Sequence, residues 1–292
     1  MPTTNTNNTI VTPEGYEVVY VEITPALAGQ LLDANTNNRA VRAGNLQKIE
    51  SDMRSGRWVF NGDAIRIDSN GVIIDGQHRL LSIEKTGVTV GALLVTGLPP
   101  ETRATIDTNA VRTAGDELHM LGYASANGLA ALTAAFIRRQ RGGLRAAVDQ
   151  QSSRHRAAAV STSMILEAVR SNPELQELNR TSSTRQYKGL TRTLSSTLYM
   201  EFCQQPDPNA QKDADFFFAR LRDGAQLATD SPILKLRNML DKLYSNKSSR
   251  PSNAYIAGLT IKAWNAFRQG HTVRNLSYRQ GGANPEAFPE PI

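Results

Sequence analysis

The stretch that decides the fold reads Gly71-Val72-Ile73-Ile74-Asp75-Gly76-Gln77-His78-Arg79-Leu80. Its apolar start is typical of a β-strand, and the continuation Leu80-Leu81-Ser82-Ile83 is typical of a helix. A glycine between the two lets the backbone approach a ligand closely, and the first helical N–H groups have no partner inside the helix. With the helix dipole and the Arg79 guanidinium beside it, the junction is a candidate phosphate site. Spacing alone leaves an alternative open: a tight turn in which Asp75 caps the helix and Arg79 lies on the surface.

The same residues carry a family resemblance. Asp75-Gly76-Gln77-His78-Arg79 resembles the signature element of the ParB/sulfiredoxin superfamily, in the DGQHR form of bacterial and phage ParB-like proteins. The resemblance spans residues 18–115, and the whole chain looks like ParB-like proteins of actinobacterial phages. It implies an element at a helix N-terminus in which these five residues bind the phosphates of ATP or CTP. Such a likeness supplies a fold and a family, and it does not supply a reaction.

Departures from the family pattern narrow the expected activity. Sulfiredoxins need a cysteine at the position of Gln77, and the single cysteine, Cys203, lies far along the chain, so sulfinic-acid reductase activity is excluded. Chromosomal ParB proteins have Glu and Arg in place of Gln77 and His78 and continue into a helix-turn-helix that is not recognisable here. A centromere-clamp role is therefore less favoured.

Three residues are candidate catalytic groups. Some superfamily members are small-molecule kinases with a carboxylate base on the helix before the signature, a region that holds Glu50 and Asp52. His78 at a helix start could donate to a phosphate oxygen or act as an acid or base, and a structural histidine is the alternative. We expect the functional role for His78 because Gly76 and Arg79 flank it in the signature.

Asp107 is the candidate metal ligand. Its carboxylate could orient Arg79 or hold Mg²⁺ beside a nucleotide, since hard oxygen ligands with phosphate are the usual magnesium arrangement. A cap for the following helix is the simpler interpretation of the same residue, and it is somewhat favoured. One cysteine and four histidines without ligand spacing argue against a zinc site.

Charge is distributed unevenly along the chain. Residues 1–120 contain 10 Lys/Arg and 14 Asp/Glu, a net charge of −4, whereas residues 121–292 contain 23 and 13, a net charge of +10. A basic half joined to an acidic half suggests a nucleic-acid surface on the basic side, although charge runs are usually solvated helix faces. The candidate DNA-binding residues are Arg138, Arg139, Arg141, Arg145, Arg154 and Arg156.

The predicted fold is α+β: a small ParB/sulfiredoxin-like N-terminal domain with a mixed sheet, followed by a mainly α-helical C-terminal domain. The predicted segments are a disordered tail over 1–15, a nucleotide-binding domain over 16–118, a basic helical domain over 119–279 and an extended tail over 280–292. Ser69-Asn70-Gly71 between two apolar runs predicts a hairpin. Apolar spacing predicts a helix over 45–55. The aromatics predicted to be core are Phe216, Phe217, Phe218, Trp264 and Phe267.

Length and composition exclude several classes of protein. At 292 residues two domains are expected, and 40% hydrophobic and 21% charged residues are ordinary for a globular chain. No apolar run of membrane-spanning length and no signal-peptide pattern occur, so we expect no membrane partner and a cytoplasmic location, that of the host if the chain is phage-encoded.

The sequence leads to three functional hypotheses. The first is a nucleotide-dependent DNA-binding protein that uses ATP or CTP with Mg²⁺, such as a phage regulator, with a homodimer among the expected assemblies. The second is a phosphotransferase acting on a small molecule or a modified nucleotide, with Glu50 or Asp52 as base. The third is a non-catalytic interaction scaffold. Salt-dependent DNA affinity separates the first from the others.

Overall fold

The computed structural model describes residues 9–12, 14–34, 41–106, 112–149, 159–245 and 251–292. The chain forms two compact units, residues 1–111 and residues 112–292. A mixed five-stranded sheet with helices builds the first unit, and helices dominate the second, so the predicted α+β class is confirmed. The boundary between the units lies after residue 111, whereas the predicted boundary lies after residue 118. The helix at Ala114–Met120 belongs to the second unit, because its Leu118 is buried in the core of that unit. Within the described ranges, no helix is both long and apolar enough to cross a membrane.

The sheet of the first unit runs in the order β1-β2-β5-β3-β4, and its one parallel pair is β3 with β5. Within the tail predicted to be disordered, residues 10 and 11 add to the edge of β2, with Ile10 opposite Val18. The strands are β1 (Ile10–Val11), β2 (Glu17–Ile23), β3 (Ala64–Asp68), β4 (Ile73–Asp75) and β5 (Val90–Leu98).

The predicted hairpin is confirmed between β3 and β4, which pair antiparallel. Gly71 adopts a positive φ of 81°, which an Asn-Gly turn requires. The Asp68 carboxylate fixes the turn by accepting hydrogen bonds from the backbone N–H groups of Asn70 and Val72 at 2.9 and 2.8 Å. The turn therefore sets the register with which β4 delivers Asp75 to the start of the next helix.

The helices of the first unit are α1 (Pro25–Asp33), α2 (Ala43–Arg54) and α3 (Gln77–Thr86), and a 3₁₀ turn follows β5 at Pro100–Thr105. The helix predicted over 45–55 is confirmed as α2. Helices α1 and α2 both pack on α3, and their shared core with the sheet contains Ile65, Leu80 and Ile83. Burial of this α3 face positions the first turn of the helix against β3.

The second unit is a helical assembly. Its longest helix is interrupted near Gly143, where φ is +74°. The helices are α4 (Ala114–Met120), α5 (Ala126–Val148), α6 (Thr162–Ser171), α7 (Glu174–Arg180), α8 (Arg192–Cys203), α9 (Ala210–Asp223), α10 (Pro232–Ser245) and α11 (Asn253–Arg268), with a 3₁₀ turn at Ser182–Arg185.

Two hydrophobic clusters fill this unit. One is formed by residues of the four helices α4, α5, α6 and α7 and includes Leu129 and Val169. The other joins the last turns of α5 to helices α8 to α11. In it the rings of Phe202 and Trp264 stack with centroids 4.2 Å apart. Apolar burial of this kind is the main source of stability for a helical unit.

The predicted aromatic core is confirmed for Phe217, Phe218 and Trp264, which are fully buried, and Phe267 packs against them. The prediction is wrong for Phe216, which is exposed. Three consecutive residues of a helix point in different directions, so α9 cannot bury all three phenylalanines on one face.

The end of the chain returns to α11. Residues 269–292 form no helix or strand. The Trp264 indole N–H donates to the Ile292 carbonyl at 2.9 Å, and the Asn265 amide donates to the Glu290 carbonyl at 2.8 Å. The tail predicted to be extended is thus held against the second hydrophobic cluster.

Candidate functional site

Gly76 joins β4 to α3 in a geometry that only glycine fits. Its φ is +99°, and an added Cβ would lie 3.0 Å from Ile65 Cγ1 and 3.3 Å from Ile65 Cα. The left-handed backbone and the close approach to β3 each disfavour a side chain. The strand–glycine–helix junction predicted from the sequence is therefore confirmed, with α3 beginning at Gln77.

The start of α3 has no side-chain cap. Its first backbone bond runs from the Leu80 N–H to the Gly76 carbonyl at 3.0 Å. A helix start of this kind presents N–H groups and the positive end of the dipole, which together favour an anion. This is the local geometry that a phosphate site requires.

Asp75 organises the charges beside this helix start. Its Oδ2 accepts a hydrogen bond from Arg66 Nη1 at 2.5 Å and one from Arg79 Nη2 at 3.3 Å. Its Oδ1 accepts from the Gly76 N–H at 2.7 Å. The carboxylate is thus shared by two guanidinium groups, and the three side chains keep a net charge of +1.

The guanidinium of Arg79 makes its hydrogen bonds with groups of the protein itself. Its Nη2 also donates to the Ala64 carbonyl of β3 at 2.6 Å, and its side chain is only 14% exposed. A guanidinium has five N–H donors, and these contacts use the ones on Nη2. The guanidinium is therefore fixed in orientation beside the start of α3, and it is not the solvent-exposed arginine of the alternative interpretation.

Arg66 is a site residue to which the sequence motif did not point. It lies opposite Asp75 in the β3–β4 register, and its side chain is 37% exposed, more than that of Arg79. Part of the signal was present in the sequence, because Arg66 interrupts the apolar run of a strand that the hairpin turns back toward Asp75. Counting outward from the turn pairs Arg66 with Ile74. A shift in register between Arg66 and Ile67 places Arg66 opposite Asp75 instead.

His78 serves as an acceptor in this structure. The ring is buried, and Nε2 accepts a hydrogen bond from the Arg42 backbone N–H at 3.1 Å. Arg42 is the N-cap residue of α2. An imidazole nitrogen that accepts a hydrogen bond carries no proton, so Nε2 is not a proton donor in this geometry. A role as acid at Nε2 would require this bond to open.

Glu50 lies away from the signature. It is buried, and its Oε1 lies 2.8 Å from Lys85 Nζ while its Oε2 lies 3.4 Å from Arg54 Nη1. The Oε1 contact is an ion pair without good hydrogen-bond direction, since that atom has no hydrogen-bond partner. Lys85 follows His78 by seven residues, about 10 Å along the helix. The structure therefore joins Glu50 to the far end of α3 and does not bring it to Gly76.

The other candidate base, Asp52, is also engaged. Its Oδ1 accepts a hydrogen bond from Arg57 Nε at 3.1 Å, and its backbone carbonyl accepts from the Arg57 and Trp58 N–H groups. These contacts fix the loop after α2.

Gln77 contributes a different feature at the start of α3: its Oε1 is buried without a hydrogen-bond partner among the described residues.

A protein-bound magnesium cage is not found in the described ranges. They hold no group of three His, Cys, Asp or Glu side chains that could bind a metal. Asp75 is shared by two arginines, and Asp107 lies outside the described residues. The described residues therefore supply no set of protein ligands for Mg²⁺, an ion that proteins commonly bind through the phosphates of a nucleotide.

Four of the predicted DNA-binding arginines lie in the described ranges, and two of these, Arg139 and Arg141, make hydrogen bonds within the protein. Arg139 makes a bidentate pair with Glu201 on α8, at 2.9 Å from Nε and 2.6 Å from Nη2, and these hydrogen bonds raise the pKa of Arg139. Arg141 donates to the Ala159 carbonyl at 3.2 Å. Both side chains therefore have hydrogen-bond partners within the second unit.

The remaining arginines of that group differ in exposure. Arg138 is half-buried, and burial lowers the pKa of its guanidinium. Arg145 is exposed, with its guanidinium 5.9 Å from the centre of the Phe288 ring. Arg154 and Arg156 lie outside the described residues. Of the four described arginines, Arg145 is therefore the one most available to a polyanion.

Comparisons of the chain with known proteins found no match. No protein-family model matches the sequence, and no match was found among curated proteins or solved structures.

Proposed function

We propose that the first unit is a ParB/sulfiredoxin-type module that binds the phosphates of ATP or CTP at the start of α3. The observation that carries the proposal is the junction at Gly76, where a positive φ and contact with Ile65 set an uncapped helix start beside a net positive charge. The N–H groups of the first helical turn would bind phosphate oxygens, and Arg66 and Arg79 would neutralise their charge. Mg²⁺ would enter on the nucleotide.

The proposed role of the nucleotide is to regulate DNA binding by the second unit, as in a phage regulator acting in the host cytoplasm. Support comes from the net charge of +10 over residues 121–292. Exposed arginines such as Arg145 and Arg222 would contact phosphates of the DNA. The phosphotransferase alternative is less supported, because Glu50 is paired with Lys85 at the other end of α3.

Calorimetric titration with Mg-ATP and Mg-CTP tests nucleotide binding. Wild type should bind one of them saturably, and Arg66→Gln should weaken that binding at least about tenfold, the loss expected for one charge-assisted contact. Lys48→Gln is the matched control, since Lys48 is an exposed cation of the same unit outside the site. No binding by a folded wild type would refute the proposal.

DNA affinity then tests the coupling. Fluorescence anisotropy with a short duplex, repeated over a range of salt concentrations, should show a steep loss of affinity with salt. The saturating nucleotide should change that affinity in wild type and leave it unchanged in Arg66→Gln. Sedimentation in the same buffers would show whether a homodimer is the binding species. If neither salt nor the nucleotide changes the DNA affinity, the proposed nucleotide-regulated DNA binding is wrong.

A further inference from the structure

A groove in the second unit runs along one side of α10. Its volume is about 1080 Å³, slightly above the usual range of small-molecule sites, so it has room for part of a larger ligand. The wall comes from the segment before α8, the end of α9, helix α10 and the start of α11. The wall residues that matter here are Tyr187, Lys188, Arg222, Arg237, Leu243 and Tyr244.

Three cations line this groove, and each comes from a different segment. Lys188 lies in a tight turn that a bridge between Tyr187 and Leu190 closes, and its side chain is 64% exposed. Arg222 lies in the last turn of α9 and is exposed. Arg237 lies on α10 and is half-buried. The side chains of Lys188 and Arg222 are therefore within reach of a ligand in the groove.

Arg237 and Tyr187 form a fixed corner of the groove. Arg237 Nη1 donates to the Leu221 and Arg222 carbonyls at 2.6 and 2.7 Å, at the negative end of α9. Its guanidinium lies 4.5 Å from the centre of the Tyr187 ring, and the Tyr187 hydroxyl donates to Asp241 Oδ2 at 2.8 Å. Burial and this hydrogen bond raise the pKa of Tyr187 to about 12, so the phenol is neutral and does not repel an anion.

The balance of charge at the groove is positive. The Asp241 carboxylate contacts the wall, and its Oδ1 lies 3.6 Å from Lys188 Nζ. Counted together, the three cations Lys188, Arg222 and Arg237 and the one anion Asp241 keep a net charge of +2. Residues 121–292 as a whole carry a net charge of +10. The charge of the groove is thus complementary to that of a polyanion.

Tyr244 supplies an aromatic surface farther along the groove. It follows Arg237 by seven residues, so it lies on the same side of α10, about 10 Å along the helix. Tyr244 is 62% exposed, and its ring is therefore accessible to a ligand. Leu243 and Pro251 are half-buried on the same wall and add apolar surface. Accessible aromatic rings beside cations are the means by which proteins bind single-stranded nucleic acids, since bases stack on the rings and phosphates contact the cations.

The tyrosine favours a single strand over other polyanions. In a duplex both faces of a base are covered by its neighbours, so Tyr244 could reach a base only after it left the stack. An acidic peptide would contact the cations, but its carboxylates would not use the ring. A single strand presents phosphates and free base faces together, which matches both parts of the wall.

We propose that this groove binds single-stranded DNA, with a base stacked on Tyr244 and phosphates at Lys188 and Arg222. The inference rests on the proposed DNA binding by the second unit and names the form of DNA that this unit holds. It does not rest on nucleotide binding at α3.

Fluorescence anisotropy of the full chain with labelled oligothymidine tests the stacked base, with an abasic strand and a duplex of the same length as reference ligands. Wild type should bind oligothymidine at least about fivefold more tightly than the abasic strand. Tyr244→Leu should remove this difference and leave the duplex affinity unchanged, and Tyr244→Phe, which keeps the ring, should retain it. Phe216→Leu is the matched control, since Phe216 is an exposed aromatic residue of α9 that does not line the groove.

Salt dependence tests the cations separately. In Arg222→Gln the slope of log affinity for oligothymidine against log salt concentration should be smaller in magnitude by about 0.7, the value for one phosphate contact of a single strand. Arg170→Gln, at an exposed arginine outside the groove, should keep the wild-type slope. Both Arg222 and Tyr244 are exposed, so their variants should keep the wild-type melting temperature.

Three results would overturn the proposal. One is equal affinity of wild type for oligothymidine and the abasic strand, since no base would then be stacked. Another is an oligothymidine affinity that both Tyr244→Leu and Arg222→Gln leave intact, because the strand would then lie elsewhere. The third is binding of the duplex alone, which would refute the single-strand groove and leave the proposed DNA regulation standing. A folded wild type that binds neither form of DNA would refute both.

Discussion

Two helices of this protein, α3 and α5, begin in the same unusual manner and differ in the residue that allows it. Each follows a residue with positive φ, Gly76 at 99° and Ser125 at 50°, and neither has a side-chain cap. Glycine adopts this backbone without a steric penalty, whereas serine adopts it at a cost of about 1–2 kcal/mol. A sequence motif reveals the first helix start, and only the structure reveals the second.

The two helix starts also differ in how nearby charge is balanced. Beside α3, Asp75 lies between Arg66 and Arg79 and holds both guanidinium groups in place. Beside α5, a neutral side chain is in contact instead, since Asn179 Nδ2 donates to the Ser125 carbonyl at 3.4 Å. The start of α3 therefore lies beside ion pairs, and the start of α5 lies beside a neutral amide.

The largest expected effect follows a change at the glycine. Gly76→Ala should destabilise the first unit by about 3 kcal/mol, because a Cβ there meets both backbone strain and Ile65. Urea denaturation would measure the loss. Gly44→Ala is the control, since Gly44 lies in α2 with open space around it and should gain up to about 1 kcal/mol. Equal stability of Gly76→Ala and wild type would contradict the geometry described for α3.

A smaller effect should follow removal of the shared carboxylate. Asp75→Asn should cost about 2 kcal/mol, less than for a fully buried pair because Arg66 is 37% exposed. Added phosphate should then raise the melting temperature of Asp75→Asn more than that of wild type, since an anion can replace the carboxylate between the two arginines. Sodium chloride at equal ionic strength and the exposed Asp33→Asn are the controls. A phosphate effect no larger in Asp75→Asn would argue against an anion site there.

A substitution at the residue before α5 should raise the stability of the protein, whereas the substitution at Gly76 lowers it. Ser125→Gly should stabilise the second unit by about 0.5–1 kcal/mol, because glycine removes the strain at positive φ but increases the entropy of the unfolded chain. Thermal denaturation would detect it. Ser125→Ala should give no gain, because alanine keeps the Cβ that causes the strain. Stabilisation by alanine equal to that by glycine would show that φ at Ser125 is not the cause.

The smallest effect concerns pH. Hydrogen bonds from Thr113 lower the folded-state pKa of Asp116 below its unfolded value, so the carboxylate stabilises α4 above the unfolded pKa and loses this effect as pH falls through the folded pKa. The melting temperature of wild type should exceed that of Asp116→Asn at neutral pH, and the gap should narrow as the pH falls through the lowered pKa of Asp116. A gap that persists in acid would mean that the charge of Asp116 has no part in the cap.

Local rules were enough to predict the first of the two helix starts. The hairpin at Ser69–Gly71 and the glycine before α3 depend on backbone preferences of a few adjacent residues, and the structure has both. The pair of Arg66 with Asp75 depends in addition on a shift in strand register between Arg66 and Ile67, which the turn residues do not predict. Short-range geometry is what single-sequence patterns encode best.

Contacts between distant parts of the chain could not be predicted in this way. Arg139 looks like part of a solvated basic run, but it pairs with Glu201, 62 residues later. This pairing arises from helix packing, which brings α5 and α8 together only in the folded unit.

Amide chemical-shift mapping of the ¹⁵N-labelled full chain tests the central claim most directly. Addition of the nucleotide that binds, ATP or CTP with Mg²⁺, should shift the backbone amides from Gly76 to Leu80 and the side-chain N–H signals of Arg66, while the amide of Ser125 at the start of α5 keeps its chemical shift. Unchanged signals from Gly76 to Leu80 at saturating nucleotide would contradict a phosphate site at the start of α3.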